Sequence, residues 1–427
     1  MIKYFISLSF LLFLFSCQSN DVKRFANYDE SKSGPYTLPD PLVCEDGSKV
    51  TNDSLWWNKR RPELLHLFET NIYGKTPSKK TDTLIFKLHK IHDNALKGKA
   101  IMKEVDIFFT KQQDTNNMRL LIYIPKIKSQ KVPCFLSLNF KGNMAINSDT
   151  AISLNNRWIR SDDNKGIVNN RSTDGIRGID SSRWPIDMII EKGYAIATAY
   201  YGDLDPDYDD GFHNGVQPLF YKTGQNKPDS DEWGAIGAWA WGLSRALDYL
   251  ITDSLIDGGK IIVLGHSRLG KTALWAGAQD QRFAIVISNC SGCCGAALSK
   301  RNFGENAIII NTFFPHWFCN NFKKYNQNES ALPVDQHELI ALIAPRPVYV
   351  VSASEDLWAD PKGEFLGALY ADTVYKFLKT AGLPVKTMPE LNAPVMGKIG
   401  YHIRTGKHDI TKYDWTQYLK FADLNLK

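Results

Sequence analysis

The sequence predicts one large α/β domain, a mostly parallel central sheet with helices packed on both faces. Three observations lead there. Short β-branched apolar runs alternate with helix-like segments through much of the 427 residues, the pattern of strand–helix–strand units. The stretch Lys260–Gln279 (KIIVLGHSRLGKTALWAGAQ) reads as a strand, a sharp turn and an Ala-rich helix. No internal repeat and no Pro-rich linker divides the chain, so one domain over 37–427 is the economical reading.

Composition fits a folded protein with ample core, at 43% hydrophobic and 12% aromatic residues. The eleven tryptophans and eighteen tyrosines suit a carbohydrate-handling surface, although most of them are expected to pack inside. A formal charge of +5 with acids and bases interspersed offers no basic patch, so no nucleic-acid partner is expected.

The first residues set the expected compartment. Lys3 precedes an apolar run, Tyr4–Phe15, too short to span a bilayer but of signal-peptide length. It ends Leu14-Phe15-Ser16-Cys17, which resembles a bacterial lipobox. Residues 1–17 therefore read as a lipoprotein signal peptide, with membrane attachment through Cys17 alone and 18–36 as a tether. Gln18, in place of Asp, favours the outer membrane; the bacterial cell envelope or periplasm is the expected location. Six cysteines remain: Cys44, Cys134, Cys290, Cys293, Cys294 and Cys319. Cys290-x-x-Cys293 has no second such pair and no H-x-x-x-H beside it, so structural thiols or a disulfide are expected over zinc. No metal or other cofactor is expected, and a monomer is.

In chain order, Asp53 or Ser54 is expected to cap a helix whose apolar face is Leu64, Leu65, Leu67 and Phe68, ending at Tyr73-Gly74. Leu84–Thr110 alternates like strands; Arg119–Ile124 and Val132–Leu138 read as apolar strands, the latter running into Asn139–Asn143. Tyr194–Tyr201 is a buried-type strand, and Tyr200–Phe212, with five aspartates, is expected to be a solvated loop without calcium-loop spacing. Trp233–Leu250 reads as a helix. After the central stretch come a strand at Ala284–Ser288, a Gly/Cys-rich loop at Ser291–Gly295 and a strand at Pro347–Ala353. Pro361–Thr380 follows as a helix, Ile399–Arg404 as a short strand and Lys412–Phe421 as the last helix.

Ser267 stands at the apex of the strand–turn–helix, where a hydroxyl projects over the carboxyl edge of the sheet beside a helix N-terminus. The usual elbow of α/β-hydrolases is G-x-S-x-G. Here Leu269 takes the second glycine's place and Gly270 follows it. In that fold the loop after the third strand lends part of the oxyanion hole, which makes Asn139–Asn143 a candidate lip, with an ordinary Gly-Asn turn as the other reading. A serine nucleophile needs a base, and the base an orienting acid, in the chain order Ser, acid, His. Among His316, His337, His402 and His408, the last lies in a loop between the final strand and final helix, where the base belongs; His402 sits within the strand and reads as core. The acid follows Val348–Ala353: Asp356 first, with Glu355 and Asp360 as neighbours, Asp360-Pro361 also fitting a helix cap.

These residues resemble the glucuronoyl esterases, carbohydrate esterase family 15. Gly265-His-Ser267-Arg268-Leu-Gly270-Lys271 matches that family's G-x-S-R-x-G-K elbow, which accounts for the displaced glycine. Asn139–Asn143, Arg183-Trp184-Pro185, Ser291–Glu305, Asp356–Pro361, Gly406–His408 and the Trp57, Arg60-Arg61, Tyr73-Gly74 stretch match as well, covering nearly all the chain after residue 36. The resemblance implies a metal-independent serine esterase that hydrolyses the ester between 4-O-methyl-glucuronic acid of glucuronoxylan and lignin alcohols. It implies Ser267 as nucleophile, His408 as base, Asp356 as acid and Arg268 at the oxyanion, with Lys271, Glu305 and Trp358 on the uronate sugar. Many relatives carry a glutamate where this chain has Cys290, so the acid's duty falls to Asp356. A deacetylase of acetylated xylan, or an inactive glycan-binding surface lipoprotein, are the competing expectations.

Overall fold

The computed structural model describes residues 24–77, 83–111, 114–127 and 130–426. The signal-like run and Cys17 lie outside the described residues. Ten strands form one sheet: β1 (Thr83–Ala95), β2 (Ala100–Lys111), β3 (Asp114–Pro125), β4 (Val132–Asn139), β5 (Ala195–Tyr200), β6 (Ile256–His266), β7 (Ile285–Asn289), β8 (Val348–Ala353), β9 (Val395–Met396) and β10 (Ile399–Arg404). Their spatial order is β1-β2-β3-β5-β4-β6-β7-β8-β10-β9. From β5 through β10 neighbours run parallel; β1, β2 and β3 join one edge, and β9 the other, antiparallel. The parallel strands are apolar on both faces, as burial between two helical layers requires.

The main helices are α1 (Arg61–Phe68), α2 (Ala235–Leu250), α3 (Arg268–Gln279), α4 (Pro361–Phe377) and α5 (Lys412–Leu426). Strand register assigns two of them to opposite faces. Phe135, Ile262 and Ile285 are partners across β4, β6 and β7, so their side chains point one way and Val286 points the other. Phe135 packs edge-on against Trp415 of α5, with centroids 5.3 Å apart. Gly277 of α3 meets Val286, where an added Cβ would fall 2.3 Å from Cγ2. Small residues along α3 thus let the helix settle close onto the sheet. Arg61 and Arg346 close its far end, donating to the carbonyls of Ala278 and Gly277 at 2.6 Å each, where the helix dipole is negative.

Strand and helix bounds lie within a few residues of those expected, with α4 stopping at Phe377 and α5 continuing to Leu426. The first helical stretch begins at Asn52, whose side chain accepts from the Leu55 N–H, so neither Asp53 nor Ser54 is its cap. It ends at Gly74 as expected, with φ of +84° and the Trp233 backbone too close for any Cβ. Trp56, Trp233, Trp239, Trp241, Trp275, Trp317 and Trp415 are buried, seven of the eleven, so the aromatic excess is mostly core. Among the described residues no helix is long and apolar enough to cross a membrane. The six cysteines from Cys44 onward are buried free thiols; Cys293 and Cys294 approach to 3.9 Å between sulfurs.

Candidate active site

Ser267 sits at the turn between β6 and α3 with φ +59° and ψ −131°, a backbone region that costs a non-glycine residue roughly 1–3 kcal/mol. The surroundings hold it there. Its N–H donates to the Asn289 carbonyl at 2.9 Å, and its own carbonyl accepts from Gly270 at 2.8 Å. A Cβ on Gly265 would fall 1.8 Å from the Leu269 carbonyl oxygen, and one on Gly270 would fall 2.9 Å from Ser291 Cβ. The displaced glycine is therefore where the helix touches the end of β7. Beside the serine, His266 is buried and its Nδ1 lies 2.6 Å from Asn289 Oδ1. Asn289 gives its amide hydrogen to Tyr418, so its oxygen accepts and His266 carries the Nδ1 proton. Burial first, then the neighbouring His408, holds this imidazole well below its ordinary pKa, which keeps it neutral.

His408 and Asp356 come from loops at the ends of adjacent parallel strands, β10 and β8. Their Nδ1 and Oδ2 atoms are 2.5 Å apart. Asp356 is buried, whereas the imidazole is 39% exposed and reaches the cavity. The two loops are laced together: Ser354 N–H donates to the Arg404 carbonyl and Glu355 N–H to the Gly406 carbonyl, each at 2.9 Å. Arg404 in turn donates to the carbonyls of Lys407 and Asp409 and to Asp414, fixing the turn that carries His408. The competing acids have other surroundings. Glu355 is exposed, and Asp360 is buried on Arg301 at 2.9 Å while capping α4 through the Gly363 N–H. His402 is a buried strand residue between Tyr349 and Asp414, as expected.

Arg268 lies in an aromatic cage, its guanidinium carbon 4.6 Å from the Trp317 ring centroid, 5.2 Å from Phe314 and 5.9 Å from Phe140. It pairs with Asp207, which also accepts from Trp317 Nε1 at 2.8 Å and Tyr201 OH at 2.9 Å and faces His316 Nε2 at 2.9 Å. Burial alone would raise the Asp207 carboxyl; Arg268, His316 and Trp317 outweigh it and hold it well below the usual carboxylate range. This corrects the reading of Tyr200–Phe212 as a solvated loop: Asp203, Asp205 and Asp207 are all buried, because the segment folds inward under the cage. The lip Asn139–Asn143 also differs in kind. The Asn139 side chain bonds Asn143, Thr198 and the Gly142 N–H, so the carboxamides shape the turn, and Phe140 is the residue that faces Arg268.

On the other side, Lys271 of α3 and Glu305 form a buried ion pair at 2.6 Å, with Lys271 also donating to the Cys293 carbonyl and Trp358 Nε1 to Glu305 at 3.3 Å. Ser267, Arg268, Lys271, Glu305, Asp356, Trp358 and His408 together line one cavity of about 330 Å³. All seven residues expected at a site are there. Cys290, Phe314 and Trp317 are also on its wall, and a second aromatic cavity of about 420 Å³ adjoins it through Arg268 and Phe314. Among the described residues the one group with metal-ligand proximity is Cys290, Asp356 and His408, whose ligand atoms lie within 4.8 Å. Burial holds the Cys290 thiol well above its ordinary pKa. Sequence reasoning missed Asp207 and Trp317 and weighed His316 only as a candidate base; the adjacent His316-Trp317 pair was the available signal.

Beneath the loop of Cys290, Glu364 is fully buried and accepts from the Ser291 N–H at 2.6 Å, the Gly292 N–H at 3.1 Å and Ser352 Oγ at 2.7 Å. Burial pushes its pKa from 4.5 to about 8, against the pull of those donors. Between these values the folded protein keeps a proton that the unfolded chain has lost. The stability tied to that proton is full below about 4.5 and is lost as pH rises through 8. Thermal unfolding midpoints should fall from pH 6 to pH 8.5, and Glu364→Gln should flatten that slope; an unchanged slope in the variant would assign it elsewhere.

The chain has clear relatives. A family model described as "Glucuronyl esterase, fungi" matches residues 188–379. A curated carbohydrate esterase from an unknown prokaryotic organism is 54% identical over 400 residues, 94% of this chain and 92% of that one. A promiscuous esterase of carbohydrate esterase family 15 from a marine bacterial metagenome superposes with a TM-score of 0.88 at 53% identity, covering 94% of this chain and 100% of that one. A glucuronoyl esterase from Solibacter usitatus gives a TM-score of 0.87 at 45% identity, over 93% and 100%. Matched over nearly its whole length by such relatives, the chain belongs to the glucuronoyl esterases of carbohydrate esterase family 15 and is a carboxylic ester hydrolase.

Proposed function

We propose that this esterase cleaves the ester joining 4-O-methyl-glucuronic acid of glucuronoxylan to lignin alcohols, using Ser267, His408 and Asp356. The observation that carries the reading is the shared cavity: the nucleophile, the base and the caged cation meet the Lys271–Glu305 pair and Trp358 on its walls. In an ester of this class the uronate carbonyl carbon is the reacting centre, so the sugar ring must be held while its carboxyl group is attacked. Lys271 donates and Glu305 accepts, a match for vicinal hydroxyls, and the Trp358 indole covers a ring face.

His408 takes the Ser267 hydroxyl proton at Nε2 while Asp356 keeps Nδ1 protonated and balances the imidazolium. Oγ attacks the carbonyl carbon, and Arg268 faces the oxygen that gains negative charge. A fixed donor there is worth roughly 3–4 kcal/mol of transition-state stabilisation. The imidazolium then protonates the departing alcohol, and water repeats the sequence to free the uronate. Ser267 and His408 line the same cavity without a hydrogen bond between them, and the proposed mechanism requires that bond to form in the substrate complex. The adjoining aromatic cavity offers room for a bulky alcohol.

A deacetylase acting on acetylated xylan is the rival within the same scaffold. Parallel assays on benzyl glucuronate and acetylated xylan separate the two. A preference of at least about a hundredfold in kcat/KM for the glucuronate ester is expected, and equal or reversed preference would overturn this substrate assignment.

A further inference from the structure

The stretch expected to be a tether does not stand clear of the domain. Its described part, 24–36, is docked against the segment 301–306 and the start of α4, next to the cavity-lining Glu305 and Trp358. Asn27 forms an antiparallel bridge to Gly304, the Gly304 N–H donating to the Asn27 carbonyl at 2.7 Å. Asn27 Nδ2 donates to the Asn302 carbonyl, and Asn306 Nδ2 to the Phe25 carbonyl at 3.0 Å. Tyr28 packs edge-on against Phe303 with centroids 6.2 Å apart. Glu30 pairs with Arg301 and, at 2.8 Å, with Lys362.

These contacts reach both loops that carry the sugar-facing residues. Arg301 binds Glu30 on one side and Asp360 on the other, so one guanidinium links the strap to the segment that ends in Glu305 and to the segment that holds Trp358. The two loops are joined next to that link: Glu305 N–H donates to the Trp358 carbonyl at 2.9 Å. Gly304 makes room, since with φ at +65° a Cβ there would fall 2.5 Å from the carbonyl oxygens of Leu357 and Trp358. Burial first, then the negative charges of Asp356 and Glu305, raises the Tyr28 hydroxyl's pKa, in keeping with a ring at the cavity's edge.

We propose that this N-terminal strap is part of the substrate site, and that Glu30, acting through Arg301, is a positioning residue for Glu305 and Trp358. The inference rests on the reading of those two side chains as sugar contacts. Glu30→Gln and Tyr28→Ala in the full chain test it, with benzyl glucuronate, p-nitrophenyl acetate and amide hydrogen exchange as readouts. Glu30→Gln should raise KM for the glucuronate ester about five- to tenfold, the share of one charge-assisted hydrogen bond, with kcat within about twofold. Turnover of p-nitrophenyl acetate, which has no sugar to hold, should stay within about twofold, and amides of 301–306 and 357–360 should exchange faster. An unchanged KM, or an equal loss on both esters, would overturn the proposal. Should the parent enzyme fail to cleave benzyl glucuronate, the substrate assignment falls, and exchange still decides the strap: no faster exchange in either loop of Glu30→Gln overturns it. Tyr28→Ala should raise KM in the same direction, and identical kinetics to the parent would count against the strap.

Discussion

Replacing Ser267 by alanine should abolish turnover of benzyl glucuronate, lowering kcat by about 10⁴-fold or more. The loss is that large because Oγ is the atom that would carry the acyl group, and no neighbour replaces it. Cys290, which also lines the cavity, is held by burial well above its ordinary pKa and stays a thiol. Folding should be little affected, since the side chain leaves no cavity and the strained backbone is held by Asn289 and Gly270 regardless. The decisive measurement is steady-state turnover together with product binding by the variant. Retained activity would remove the serine from the mechanism; lost activity with lost folding would be exposed by the thermal midpoint.

Asp356→Asn should cost a similar amount, about 10⁴ in kcat, with KM nearly unchanged. The carboxylate receives the Nδ1 proton of His408 at 2.5 Å, and an amide that presents its N–H there would favour the wrong tautomer. Cys290 supplies an internal control. Its sulfur lies within 4.8 Å of the Asp356 and His408 ligand atoms, so a carboxylate introduced as Cys290→Glu is near enough to serve the same imidazole. The double variant Asp356→Asn/Cys290→Glu should recover at least about tenfold of the lost kcat, as general-base orientation by a carboxylate demands. No recovery, together with a mild single-variant effect, would argue that the imidazole is oriented by its loop and not by the acid.

Much of this arrangement was legible in the chain. The parallel strands were readable because burial on both faces demands continuous β-branched apolar runs, such as Ile261–Leu264 and Val348–Ala353. Ser267 was readable because a strand, a polar turn and an Ala-rich helix permit few other geometries. Asp356 and His408 followed from chain order and from their positions just past strands. What could not be read was set by tertiary packing. Asp207 looks like its neighbours Asp209 and Asp210 in sequence, and only the inward fold of that loop puts it against Arg268, His316 and Trp317. Asn52, Asp53 and Ser54 are all competent caps, and the choice of Asn52 depends on where the chain enters from the preceding turn. Residues 24–36 are polar enough to read as solvated, yet Asn27 and Glu30 find partners 275 and 271 positions away.

The lacing between the loops of Asp356 and His408 bears on how such an enzyme can be rebuilt. Asp356 and His408 hang from neighbouring strands whose loops are stitched backbone to backbone, whereas Ser267 arrives on β6, separated from them by β7. On the proposed roles, Asp356 with His408 forms one transplantable cassette, and Ser267 with the caged Arg268 forms another. A chimera that exchanges 354–360 without 404–409 would break the cassette at its seam, while one that moves both together keeps the Asp356–His408 contact intact.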